Sequence, residues 1–535
     1  MPYGRVLRSL LGLAAAAVAM VACGPDDRDQ GAAGTVGVGS TAAATTQVTS
    51  GSSGGQRFDV GFAPDQGGAE PSCDDLEGGP PTSLGCVFWT SQVPNIELAS
   101  GRSYGIAVGN PSAVRDAHVV IEDLRGPGGT LREVAAIDLA PGGSEQVALS
   151  GPAGLYPDED YVPDEPGVHP GWAFRIRSDV PVTATQISPV GGGHVGGHAG
   201  NADASLLLPE HALGTVYMGL GYPHFDPAEP GFLVVVATED GTTVTTPDGE
   251  VMLDAFDVLH VATFPEATGV RIDADAEVAV LSGSTCAMVP DAETFACDHL
   301  EEMLFPLSSW GTHHVAARHP VRLSAYGAAP ETVVHRVVAG TDGVTVTLTP
   351  DVLGTGPFVL AKAGDFRQIE TTESFVAEAT GPIALAQYMT GREAIADVAA
   401  TAACAPTCPD GDPFMVQSIP TDQFLEVLAF VNDPTYREDA VVIVRPEGAQ
   451  VSLDCLDPVP DAAFSPVAGT GYEVGTVILD RFGMGGDGTC TDGSHLLTAT
   501  KPVGIYVFGL DEATSYAHPG GANVGSLWVP PPPEG

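Results

Sequence analysis

Lysine is almost absent from this sequence: Lys362 and Lys501 are the only two in 535 residues. Lysine and arginine together number 21 against 68 aspartates and glutamates, a formal net charge of −47. Nucleic-acid phosphates are held by clustered cations, so this composition argues against a nucleic-acid partner. Long apolar runs are missing after the first two dozen residues, and none of the later ones approaches the roughly 18–20 residues a membrane-spanning helix needs. The string H-E-x-x-H, which sets two imidazoles on one helix face for zinc, does not occur. Sustained helix periodicity is scarce throughout.

The first 70 residues have a different character from the rest. Arg5 and Arg8 precede "LLGLAAAAVAMVAC", a run too short for a comfortable membrane span that ends in small residues, as a secretory signal does. "MVAC" is similar to the lipobox of bacterial lipoproteins, which makes Cys23 the expected lipidated first residue after removal of residues 1–22. Residues 23–70 are Gly, Ala, Thr, Ser and Asp with almost no large apolar side chain, the composition of a flexible tether with a reach of about 35–42 Å. The protein is therefore expected to be exported and held at an outer membrane or cell surface by lipid alone.

Apart from Cys23 there are eight cysteines, an even number in an exported chain, which argues for disulfides. They fall into neighbouring pairs: Cys73 and Cys86, Cys286 and Cys297, Cys404 and Cys408, Cys455 and Cys490. Each pair brackets a loop rich in Gly, Pro or Asp, so local pairing is expected, although eight cysteines allow 105 connectivities.

The body is a repeat. "DVPVTATQIS" (179–188) returns as "DAEVAVLSGS" (275–284), "TGPIALAQYM" (380–389) and "TKPVGIYVFG" (500–509), all with strand alternation. A second phrase follows each: "SLLLPEHALGTVYMGLG", "MLFPLSSWGTHHVAA", "MVQSIPTDQFLEVLAF" and, at the C-terminus, "SLWVP". "VFWTSQVPN" from Val87 reads as the first copy, marked by Pro94. Between the phrases lie β-branched runs broken by "EDG", "PDG" and similar turns. The expectation is an all-β protein of four tandem units of about 110 residues, at 71–190, 191–288, 289–390 and 391–535, the last holding a closing strand. Such units are β-sandwich-like modules packed together or, alternatively, a closed propeller-like ring.

"SCDDLEG", "LGCVFWTSQVPN", "DASLLLPE" and the repeated "PVxVxxxS" strand, in that order, resemble the IgGFc-binding protein N-terminal domain family over about residues 70–530. The resemblance implies an extracellular, non-enzymatic binding or adhesion module with a protein or glycan partner. It brings no catalytic motif and places no immunoglobulin contact on any residue of this chain.

Residue chemistry adds little to that. "GGGHVGGHAGNAD" sets His194, His198 and Asp203 in one glycine-rich stretch, the best metal-ligand candidates, though two glycines between the histidines oppose a helix. The acidic turns 156–167, 408–414 and 483–493 leave calcium as the one cofactor in view, without matching the EF-hand loop. Tyr156, Tyr161 and Trp172 beside the first turn form a combination that could contact a sugar or peptide. "GSSGG" at 51–55 has the spacing of a hydrolase elbow but lies in the tether. A polysaccharide lyase or hydrolase is the alternative function, and no pair of carboxylates can be nominated for it.

Overall fold

Four long strands organise the chain: Phe174–Ser188, Arg271–Ala287, Phe375–Tyr388 and Ser494–Asp511. The computed structural model describes residues 70–532 apart from 96–102, 127, 150–164, 192–200, 296 and 407. Each long strand is the spine of one antiparallel sheet, of seven, eight, seven and seven strands in chain order. The eighth strand of the second sheet, Gly167–His169, comes from the first unit's chain and pairs with Val258–Thr263. The two α-helices among the described residues are short, Cys73–Glu77 and Val398–Cys404. This is the all-β, four-module architecture expected from the repeat.

The repeated Pro-Val phrase marks a fixed event in each spine. Before it, the spine pairs with the module's first strand: Gly85–Thr90, Gly214–Met218, Gly311–Ala316 and Leu425–Val431 respectively. At the phrase the register breaks, so that Val87 faces Arg177 but Gly85 faces Val182, with the same jump at Asp273/Val278, Glu378/Ile383 and Thr498/Val503. Pro181, Pro382 and Pro502 occupy the break, where a missing N–H costs no ladder hydrogen bond. Glu277 stands there in the second module. From Val182, Val278, Ile383 and Val503 onward every spine residue is buried, because the second half is covered on both faces.

That buried half pairs with a short inner strand: Asp203–Leu206, Asp298–Met303, Met415–Gln417 and Thr514–Pro519. Sheet membership therefore runs past 190, 288 and 390, because each connector leads into a strand that folds back on the spine before it. The closing strand is Thr514–Pro519, not "SLWVP". The latter straps onto the third module, with the Leu527 and Trp528 amides donating to the Ser308 carbonyl at 2.8 and 3.3 Å and the Trp528 indole to Leu307 at 2.7 Å.

The modules dock through one repeated contact. Pro209, Pro306 and Pro420 each begin a 3-10 turn, and Gly85, Gly214 and Gly311 in the preceding module's first strand lie against them. A Cβ on any of the three glycines would fall under 3.0 Å from the proline. Pro209, Pro306 and Pro420 also stand five residues before Gly214, Gly311 and Leu425, and Pro80 stands five before Gly85. The first copy of the phrase thus starts at Pro80, and Pro94 matches it only in composition.

Candidate functional site

The four inner strands meet at the centre of the described body. Asp203–Leu206 packs against both Asp298–Met303 and Thr514–Pro519, and Met415–Gln417 closes the ring by packing against the same two. No backbone ladder joins them, so their amides need other acceptors. The Asp203 carboxylate supplies four bonds: Oδ1 accepts from Ala204 N at 2.9 Å and Ala517 N at 3.2 Å, Oδ2 from Glu301 N at 3.1 Å and Met415 N at 2.9 Å. One side chain, fully buried, is tied to an inner strand of every module.

Its neighbours do similar work. Ser205 Oγ accepts from Met303 N at 3.1 Å, Glu302 from Gln417 N at 2.8 Å, Gln417 Oε1 from Phe305 N at 3.2 Å, and the Tyr506 hydroxyl from Ile419 N at 3.0 Å. Burial pushes the pKa of Asp203, Glu301 and Glu302 well above the carboxylate range; at Asp203 the amides pull the other way and favour the anion. Asp203, one of the sequence's metal candidates, has both oxygens occupied by amides and serves as a structural pin. His194 and His198, its proposed companions, lie outside the described residues, as does Cys23.

The eight body cysteines form four disulfides in the neighbouring pairs: Cys73–Cys86, Cys286–Cys297, Cys404–Cys408 and Cys455–Cys490. Asp454, Cys455 and His495 come together, with Asp454 Oδ1 3.0 Å from His495 Nδ1, but the cysteine sulfur is committed to Cys490 and is no thiolate ligand.

Two of the three acidic turns are described, and in them Asp410, Asp412, Asp487 and Asp492 each have at least one oxygen bonded to a protein donor. In 408–414, Asp410 accepts from Arg392 Nη2 at 2.6 Å and Ala513 N at 3.0 Å, and Asp412 from Arg392 N at 3.1 Å. Burial raises Asp412 to about 7. In 483–493, Asp487 accepts from Ile478 N at 3.0 Å and Asp492 from Asn432 Nδ2 at 2.7 Å. Burial and the nearby Asp480 and Asp433 push Asp492 up to about 6. Of the aromatic group by the first turn, Tyr156 and Tyr161 lie outside the described residues. Trp172 carries the Arg125 guanidinium on its face at 4.4 Å.

Sequence reasoning missed the buried arginines. Arg322 is 1 % exposed and meets Glu331 at 3.1 Å, the Asp410 carbonyl at 3.1 Å and Thr390 Oγ1 at 2.9 Å, fixing the 408–414 connector to the third module. Arginines in a chain so short of cations were the available signal. Among the described residues, hollows along the module seams include two lined by ionisable groups. One of about 240 Å³ is lined by Glu77, Glu210, His211 and Glu277, with Glu210 accepting from the Trp89 indole at 2.6 Å. The other, about 400 Å³, runs between the third and fourth modules past Arg318, His319, Glu373 and Pro466.

Large apolar side chains are also left in water, among them Phe225, Phe264 and Phe295 in the second module. The frame is stapled by disulfides and leaves these aromatic side chains in water. Residues 203–509 match the IgGFc binding protein family. The chain belongs to that family. A stretch of 130 residues is 32 % identical to the IgGFc-binding protein of Homo sapiens, covering 21 % of this chain and 2 % of that protein. The family match begins at Asp203, the pin itself, and runs to Gly509 on the fourth spine. Four disulfides fit an exported protein. No helix among the described residues is long and apolar enough to cross a membrane.

Proposed function

We propose that this chain is a lipid-anchored, exported binding or adhesion protein, non-enzymatic, whose partner is an extracellular protein or glycan. The observation that carries the reading is the four-module frame fixed through Asp203, which holds loops from different modules in constant relation to one another. Family membership supports it, and the human relative's name makes the immunoglobulin Fc one partner to test. Cys23 is the proposed anchor, with the segment up to residue 70 as tether.

A time-resolved protein and glycan array that includes immunoglobulin Fc, run with and without EDTA, tests this. Stable retention on spots supports the binding reading, and loss of signal on EDTA that calcium alone restores shows that calcium takes part. Progressive consumption of an array substrate would instead identify a lyase or hydrolase. Cys23→Ala should move the protein from the membrane fraction to the soluble one; unchanged partition would rule out the lipid.

A further inference from the structure

The second module presents three phenylalanine rings to solvent on tied segments. Phe225 is 52 % exposed, and Phe264 and Phe295 are each 61 % exposed. The Phe225 amide donates to the Cys286 carbonyl at 2.9 Å, and Cys286 is bonded to Cys297, two residues beyond Phe295. His224 donates its backbone N–H to the Pro265 carbonyl at 3.1 Å and sets its ring Nδ1 2.8 Å from the same oxygen. Its ring meets Phe264 edge-on at 5.5 Å. The segments that carry Phe225 and Phe264 are thus joined through His224, and those that carry Phe225 and Phe295 through the disulfide. At 150–250 Å² per aromatic side chain, the three exposures together leave about 350 Å² in water on neighbouring segments.

Charge defines the rim. The segments 222–230, 264–269 and 288–297 carry Asp226, Glu229, Asp291 and Glu293, besides Glu266, which is spent on Arg336, and neither lysine nor arginine. Asp226 and Asp291 cap the backbone N–H groups of Ala228 and Glu293 at 2.9 and 3.0 Å, which holds their carboxylates at the turns. The adjoining cations are committed: Arg336 pairs with Glu266, and Arg392 with Asp410 at 2.6 Å.

We infer that this face docks a protein surface offering an apolar hollow ringed by lysine and arginine. An anionic membrane or polyanionic glycan would meet like charge. A purely apolar partner would strip water from the carboxylates without replacing it. The inference rests on the binding function proposed above and names its site and partner chemistry.

Short fluorescent peptides test it, one alternating Arg and Leu, one Arg and Ser, and one Glu and Leu, with binding to the full chain read by anisotropy. The Arg/Leu peptide should bind at least about tenfold more tightly than the other two. The combined variant Phe225→Ser, Phe264→Ser, Phe295→Ser should lose that advantage while melting as the native chain does. If the triple variant fails to fold, Asp226→Asn with Asp291→Asn and Glu293→Gln replaces it, with the same expected loss. Equal binding of the Arg/Ser peptide, or full binding by the folded variants, would overturn the inference and leave only general acidity. Array partners retained undiminished by the phenylalanine variant would refute this face and spare the binding function. A native chain that retains no array partner would sink the binding function, while the peptides still decide the face.

Discussion

Asp203 accepts amides from four separate strands, so its removal orphans N–H groups in every module at once. Asp203→Ala is expected to cost about 3–5 kcal/mol in urea unfolding, the scale for stripping one partner from a buried charged network. Asp203→Asn should recover little, because an amide NH2 would face donors. Sequence reasoning found Asp203 for its histidine neighbours, and its role was not legible there because the pin occurs once and the repeat cannot reveal it. A second residue tests the acid side of stability. His335 is fully buried edge-on to Phe375 at 5.2 Å, and burial pushes its pKa down to about 3. It is neutral in the fold and titrates near 6.5 when unfolded, so its contribution is present above pH 6.5 and lost as pH falls towards 3. His335→Phe should flatten the decline in Tm between those limits; an unchanged profile would show that His335 does not drive it.

At the scale of elements, the spines were the most legible feature. Their register breaks recur at the same phrase, and a proline without an N–H can be tolerated only where the ladder is interrupted. The docking glycines were less legible, since a glycine announces a close approach without naming its partner. Gly311→Ala drives a Cβ into Pro420 and should cost about 1–3 kcal/mol by overpacking. The open turn glycine Gly354, with nothing near its Cβ position, is a poor comparison because its φ of 65° adds backbone strain. The first copy of the phrase was misplaced at Pro94 because an apolar run ending in proline is a weak signal, whereas a proline five residues before the first strand recurs in every module. Disulfides offer a graded test. Cys455 and Cys490 are 35 residues apart and Cys404 and Cys408 only four. Loop-closure entropy then predicts that replacing the first pair with alanine costs about 2 kcal/mol more than replacing the second. Equal losses in urea titrations would show that native-state contacts, not loop length, set the effect.

For the whole molecule, a net charge of −47 keeps the surface soluble and repels acidic partners, which narrows the ligand without choosing it. The choice falls to side chains that only tertiary structure brings together, as with Phe225, Phe264 and Phe295, which come from three separate stretches of sequence. Those three lie within the second module, whereas any site built from loops of different modules requires the modules to behave as one body. Calorimetry of the native chain beside Asp203→Ala tests that requirement most directly. The account predicts a single cooperative transition for the native body, and for the variant a lower transition that separates into steps as the ring opens. Independent stepwise melting of the native modules, or a variant that melts like the native chain, would contradict it.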